Sequence, residues 1–162
     1  MIRSMTSKSR RLKARSEQRG ITFIEVLVAV VILSLGFLAT SRMQILGMRY
    51  NQGAFFQSQA SILAADIADR MRANLNAVDD GKFDNVSTTS LPADPGCITT
   101  GCTSTQLADS DIRQWGESIA NSLPDGVGNV TVDSGVFEIQ VSWSEKITDT
   151  AETQSVRIWL TP

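Results

Sequence analysis

The chain has 162 residues and a mass of 17.6 kDa, enough for one modest domain with additional segments. It contains no histidine, which excludes a Ser-His-Asp triad, a Cys-His pair and histidine-ligated metal sites. Its two cysteines are too few for a four-thiolate zinc or iron–sulfur site. We therefore expect no catalytic residues, no metal and no cofactor.

The formal net charge of −2 combines a basic N-terminal arm with an acidic remainder. Residues 1–20 contain seven Lys and Arg and one acidic residue, Glu17, so their side-chain charge is +6. The other 142 residues carry a side-chain charge of −8. A basic arm alone is typical of a nucleic-acid-binding tail, but the acidic remainder argues against a nucleic-acid partner.

Residues 21–41, ITFIEVLVAVVILSLGFLATS, contain a single charge, Glu25, and thirteen Ile, Leu, Val or Phe residues. As a helix they would be about 31 Å long, the thickness of the hydrocarbon core of a bilayer. The thirteen apolar side chains favour insertion by several kcal/mol, which outweighs the cost of one carboxylate near an edge. We therefore expect a transmembrane helix rather than a buried helix of a soluble domain.

The basic residues precede this segment, so the positive-inside rule predicts a cytoplasmic N-terminus and an exported C-terminal domain. A cleaved secretory signal is disfavoured, because the apolar stretch is too long and no A-x-A site closes it before Arg42. We expect a single-pass membrane protein whose C-terminal domain lies across the membrane from its N-terminus.

An ionisable residue inside such a segment is costly and usually functional, which singles out Glu25. The surrounding sequence, RG-ITFIEVLVAVVILSLG, strongly resembles type IV pilins with a class III leader. In that family a prepilin peptidase cuts after the glycine and methylates the new amine. The resemblance implies cleavage between Gly20 and Ile21, N-methylation of Ile21, and subunit assembly through Glu25 and the amine of Ile21.

Residues 42–78 are predicted to continue the helix as an amphipathic segment that ends at Asp79-Asp80-Gly81. We expect one stripe of this helix to pack on the domain that follows, residues 79–162. The stripe consists of Phe55, Ile62, Ala65, Ala68, Met71 and Leu75. The resemblance to pilins also implies one long helix, apolar in its first half and amphipathic in its second.

Residues 79–105 are loop-like and contain Cys97 and Cys102, which we expect to form a disulfide in an oxidising compartment. A redox role is disfavoured, because four residues separate the two thiols. Asp79, Asp80 and Asp84 could form a calcium-binding cluster, but a solvated loop is the preferred interpretation.

A helix is predicted around residues 106–122, with Leu107, Ile112, Trp115, Ile119 and Leu123 on one face. Strands are predicted at 129–133, 136–144 and 155–160, and Ser134-Gly135 is a turn signal between the first two. We expect Trp115, Trp143 and Trp159 to serve as core or sheet-surface anchors. The fold class is therefore α+β, with a long N-terminal helix packed on a small antiparallel sheet.

The segment DIRQWGESIANSLPDGVGNV and the strand ending VSW resemble minor pilins of the PilV family, the type IV pilus modification proteins. That resemblance implies a single-pass inner-membrane protein with a periplasmic C-terminal domain. Such a subunit primes pilus assembly, enters the extracellular pilus and promotes adhesion and twitching motility. The implied partners are a prepilin peptidase, the major pilin, other minor pilins and the inner-membrane assembly machinery. A pseudopilin of a type II secretion system and a membrane-tethered periplasmic domain of unrelated function are the alternatives.

Overall fold

The computed structural model describes residues 20–146 and 150–162. The basic arm before Gly20, which the sequence analysis assigns to a leader, therefore lies outside the described residues. The chain divides into two compact units between Ser41 and Arg42.

In the described residues, the four helices and one short strand come first and three consecutive strands follow, which is the segregated order of an α+β protein. The elements are α1 (Phe23–Ala73), α2 (Leu75–Asp79), β1 (Asn85–Ser87), α3 (Cys97–Thr100), α4 (Ser104–Ser122), β2 (Val127–Asp133), β3 (Val136–Glu145) and β4 (Glu152–Leu160). The predicted fold class, a long N-terminal helix with a small antiparallel sheet, is confirmed.

In the first unit, α1 begins at Phe23 and is apolar on all sides. Its Ile, Leu, Val and Phe side chains are all exposed, from 46% at Leu27 to 80% at Phe23. Soluble domains rarely leave so continuous an apolar surface in water. By length and composition, α1 is the candidate membrane span among the described residues.

In the second unit, the later turns of α1 bury one face against the rest of the domain. The buried side chains are all apolar, and three of the six are alanine: Ala60, Leu63, Ala64, Ile67, Ala68 and Met71. They follow one another at alternating steps of three and one residues, which keeps them on one side of a helix.

This buried face differs from the stripe predicted from the sequence. Ala68 and Met71 are buried as expected, but Phe55 and Ile62 are 56% and 61% exposed. Ala65 is exposed as well. The prediction was wrong because each three-residue step falls about 60° short of a full turn. Three such steps in a row, from Ile62 to Met71, carry the line to the opposite side of the helix.

The helix is interrupted at Asn74, a break that the sequence analysis did not predict. Asn74 has φ −131° and ψ 60°, outside the helical region, and helix resumes as α2 at Leu75. Its buried side-chain amide donates a 2.7 Å hydrogen bond to the carbonyl of Ser104. This bond ties the break to the start of α4 and compensates for the lost helical geometry.

Helix α4 begins with a reciprocal cap. Thr103 accepts a hydrogen bond from the backbone N–H of Gln106, whose side chain accepts one from the N–H of Thr103. The buried face is close to the prediction, except that Ala108 is buried and Leu107 is 43% exposed. Leu107 is five residues before Ile112, so the two side chains are about 140° apart around the helix axis and Leu107 lies off the buried face.

The four strands form one antiparallel sheet in the order β1-β2-β3-β4. Strands β2 and β3 are joined by Ser134 and Gly135, with φ of 52° and 81°, so the predicted turn is a tight hairpin turn with two left-handed residues. The predicted alternation in β3 is confirmed: Phe137, Ile139, Val141 and Trp143 are buried. Strand β1 was not predicted.

The core of the second unit lies where α4 contacts both α1 and β2. The indole of Trp115 is fully buried in this core. Gly128 of β2 lies directly against it, since a Cβ built there would be 2.5 Å from a ring carbon of Trp115 and 2.6 Å from Cδ1 of Ile119. Only a residue without a side chain allows the strand to approach α4 this closely.

Candidate processing and assembly site

The proposed cleavage point lies in backbone that belongs to no helix or strand. Gly20, Ile21 and Thr22 precede α1, and all three are exposed. A protease binds its substrate as extended chain, and this exposed segment lies in no helix that would have to unwind before cleavage. The residues predicted to flank the cut, Gly20 and Ile21, therefore lie just before the first residue of α1.

Glu25 lies in the first turn of α1. The carbonyl of Thr22 accepts hydrogen bonds from the N–H of Glu25 at 3.0 Å and of Val26 at 3.3 Å, so the helical turn starts at Thr22. A carboxylate at this end is stabilised by the positive end of the helix dipole. This second role of Glu25 was not predicted, although Thr-x-x-Glu is the spacing of a helix-capping box.

Ile21 and Glu25 share one side of the helix start. They line a shallow depression together with Val26, Ala29, Val30 and Leu33. Within the part of the chain that the structure describes, no Lys or Arg lines this depression. The carboxylate of Glu25 therefore lies on an otherwise apolar surface, a position where a cation from outside the helix would stabilise it.

The two cysteines lie in the second unit and form a disulfide, with an S–S distance of 2.09 Å and a Cα–Cα distance of 5.1 Å. The closed loop contains α3 and ends one residue before Thr103, the cap of α4. Its Ile98 is completely exposed. The disulfide therefore braces a short surface loop at the entry to α4.

A polar network that the sequence analysis did not anticipate joins α1 to α4 in the second unit. Arg70 donates from Nη1 to Asp111 at 2.9 Å and to Gln114 at 2.6 Å, and from Nε to Asp66 at 3.0 Å. These side chains are partly exposed, so the ion pairs contribute little to the free energy of unfolding. They do fix which residues of α1 and α4 face each other.

Asp79, the last residue of α2, and the loop residues Asp80 and Asp84 lie close together in sequence around Gly81. Among residues 20–146 and 150–162, no group of three or more Asp, Glu or Cys side chains is arranged to hold a metal ion. A carboxylate oxygen of Asp84 instead lies against Gly81, 3.0 Å from the position that a Cβ would take. This geometry is typical of a loop turn.

An apolar N-terminal helix that begins just after an exposed glycine, carries a carboxylate in its first turn and is followed by a small α+β unit defines a pilin-like protein. Two family models match the chain in adjoining segments. Residues 15–41 match the prokaryotic N-terminal methylation motif, and residues 42–113 match the Tt1218-like family, described as type IV pilin Tt1218. No significant match was found among curated proteins or among solved structures.

The chain is thus similar to type IV pilins over residues 42–113 and carries an N-terminal methylation motif over residues 15–41. The motif implies processing by a prepilin peptidase, and proteins of this family are structural subunits rather than enzymes. The apolar start of α1 fits a pilin that is anchored in the inner membrane.

Proposed function

We propose that the chain is a minor type IV pilin of the PilV kind, which primes or supports pilus assembly and becomes part of the fibre. The observation that carries this proposal is the order of the two family matches. The methylation motif at 15–41 leads directly into the pilin match at 42–113, as a pilin precursor requires. The resemblance of the downstream segments to PilV proteins supports the assignment to a minor subunit.

Cleavage between Gly20 and Ile21 is the first proposed step. The absence of a Cβ at Gly20 lets a peptidase bring its catalytic groups close to the backbone. The cut leaves the leader, with its charge of +6, on the cytoplasmic side and gives a mature chain of 142 residues that begins at Ile21. The same enzyme then methylates the new amine.

Pairing between subunits is the second step. The mature amine of Ile21 and the carboxylate of Glu25 are both charged groups on an apolar helix. In a bundle of such helices, either charge left alone costs several kcal/mol. Glu25 of one subunit therefore pairs with the Ile21 amine of its neighbour and sets the register between them.

This pairing also bears on the position of the subunit. A subunit at the extreme tip has no neighbour ahead of it whose amine needs a partner, so it could dispense with the carboxylate. This chain retains Glu25. We accordingly place it below at least one other pilin-like subunit, with its second unit in the periplasm before assembly and outside the cell afterwards.

Counts of surface fibres and of secreted proteins in a strain without the chain test the proposal. A minor pilin predicts fewer fibres and reduced twitching, with type II secretion unchanged, and restoration by the wild-type chain. Unchanged fibres with reduced secretion would instead support a pseudopilin. If both stay unchanged, a membrane-tethered domain of unrelated function becomes the better interpretation.

A further inference from the structure

The two edges of the sheet are very different. Strand β1 ends one side with three residues, whereas β4 ends the other side with nine. All nine residues of β4 pair with β3, from Leu160 opposite Phe137 to Glu152 opposite Glu145. In the described residues, no strand pairs with the other side of β4.

A long free edge presents unpaired hydrogen-bonding groups. In an antiparallel strand, alternate residues point their backbone N–H and C=O groups to opposite sides. About half of the residues of β4 therefore direct both groups away from β3. Natural edges are usually protected by proline, charged side chains such as lysine, a bulge or a short length. The charged residues of β4 are Glu152, at its first position, and Arg157, which is paired with Glu138. Strand β4 contains no proline or lysine, and its register with β3 is continuous over its whole length.

The side chains of β4 add apolar surface on both faces of this edge. Val156 and Ile158 lie on the inner face, packed against the core but only partly buried. On the outer face, Trp159 is 65% exposed. Arg157 lies two residues before it and is half exposed, with Nε 3.5 Å from Glu138. Exposed Trp and Arg side chains are enriched among the residues that dominate binding energy at interfaces.

The β4 strand of a second copy of this chain is a poor match for the edge. Residues directly opposite in an antiparallel pair lie on the same face, and Glu152 and Arg157 of β4 lie on opposite faces. Two β4 strands therefore cannot pair these charges. In the register that aligns all nine residues, Glu152 faces Leu160 of the other copy and the two Arg157 side chains become diagonal neighbours.

We propose that the outer edge of β4 is a docking edge that takes up an extended strand from a different protein. The strand has apolar side chains on the face beside Val156 and Ile158, and an acidic side chain beside Arg157. Backbone hydrogen bonds to β4 hold the strand, while these side chains select it. The inference needs only that the domain meets another protein, so it does not depend on whether the assembly is a pilus or a secretion fibre.

Site-specific photocrosslinking of the full-length chain in cells tests the edge. A photoreactive phenylalanine analogue replaces Thr153 or Ser155, both exposed on β4, and replaces exposed Asn85 of β1 as the control. We expect the two β4 positions to crosslink to residues about two apart in one segment of another protein, the spacing of an extended strand. The Asn85 position should give no such pair.

Three results would overturn the inference. They are the absence of crosslinks from β4 while the chain is processed and assembled at its normal level, crosslinks only to a second copy, and crosslinks only to non-protein material. The first of these leaves the proposed function intact, because processing and assembly are measured in the same cells.

A charge exchange tests the selecting role of Arg157. The double variant Glu138→Arg with Arg157→Glu keeps an ion pair between β3 and β4 but reverses the charge beside the edge. We expect an unchanged unfolding midpoint and a loss of crosslinking of about tenfold, as one lost charge-assisted contact predicts. Arg157→Lys, which keeps the charge, should retain most of the crosslinking. If the exchange variant crosslinks with the wild-type yield, the partner strand does not place an acidic side chain beside Arg157.

Discussion

The indole Nε1 of Trp115 donates a 2.8 Å hydrogen bond to the backbone carbonyl of Leu63. This buried bond joins α4 to α1 within the second unit, and the ring fills the space against Gly128. Replacement by Phe removes the donor and part of the ring, so Trp115→Phe should destabilise the domain by about 1–3 kcal/mol. Urea unfolding of the full-length protein in detergent micelles measures this loss.

Trp159→Phe is the matched control for that variant. Its indole is largely exposed, so the same substitution should change the free energy of unfolding by no more than about 0.5 kcal/mol. If the two variants prove equally stable, Trp115 is not the anchor between α4 and α1.

The disulfide supplies a second prediction. It closes a short loop, with a sequence separation of five between Cys97 and Cys102, and the chain-entropy account gives about 2 kcal/mol for a loop of this size. The double variant Cys97→Ser with Cys102→Ser should lose about that much stability and still fold. Calorimetry of the variant against the wild type, with a reduced wild-type sample for comparison, checks the value. A loss above about 5 kcal/mol would mean that the loop organises α4 itself.

Substitutions at Glu25 separate assembly from processing. Glu25→Ala leaves the Ile21 amine of a neighbour without a partner, at a cost of several kcal/mol in an apolar bundle. We expect co-purification with other pilins to fall at least about tenfold, with cleavage between Gly20 and Ile21 preserved. Quantitative immunoblots of sheared fibres and membranes measure both. Assembly at the wild-type level would contradict the pairing.

Glu25→Gln distinguishes two roles of Glu25: pairing of its charge with the amine of a neighbour, and capping of the first turn of α1. Gln retains the side-chain oxygen that a capping box uses but has no charge. If the ion pair matters, this variant should assemble as poorly as Glu25→Ala. Normal assembly of Glu25→Gln would assign Glu25 to the start of α1 instead.

Processing depends on the residue before the cut. Gly20→Ala adds a Cβ where the peptidase must approach the backbone, so precursor should accumulate and mature protein should fall by about tenfold or more. Gly36→Ala is the control, because a Cβ at Gly36 meets no atom within 4 Å. Mass spectrometry of the membrane fraction gives the ratio of precursor to mature chain. Equal ratios for the two variants would argue against cleavage after Gly20.

Some elements could be predicted because the pattern of apolar and polar residues within the element itself indicates which side chains are buried or face lipid. The continuous apolar run at the start of α1 needs no knowledge of tertiary structure. The alternation of β3 is similarly direct, since Ile139 and Val141 face the core while the residues between them are partly exposed. Gly20, Ile21 and Glu25 were found through a motif, and their placement around the start of α1 follows from the helix boundary.

Other features depend on tertiary contacts that a single sequence does not reveal. The buried face of the later part of α1 is set by its packing against the rest of the second unit, so apolar Ile62 is exposed while small Ala60 is buried. The break at Asn74 is compensated by a side-chain bond to Ser104, 30 residues away. Strand β1 has three residues, too few for a period of two to be recognised.

The central claim is that the working protein begins at Ile21 and resides in a pilus. Mass spectrometry of proteins sheared from the cell surface tests it most directly. The account predicts a peptide that begins with N-methylated Ile21, recovered in the same fibres as the major pilin. An intact N-terminal arm in the membrane fraction, or a mature chain found only with a secretion apparatus, would contradict it.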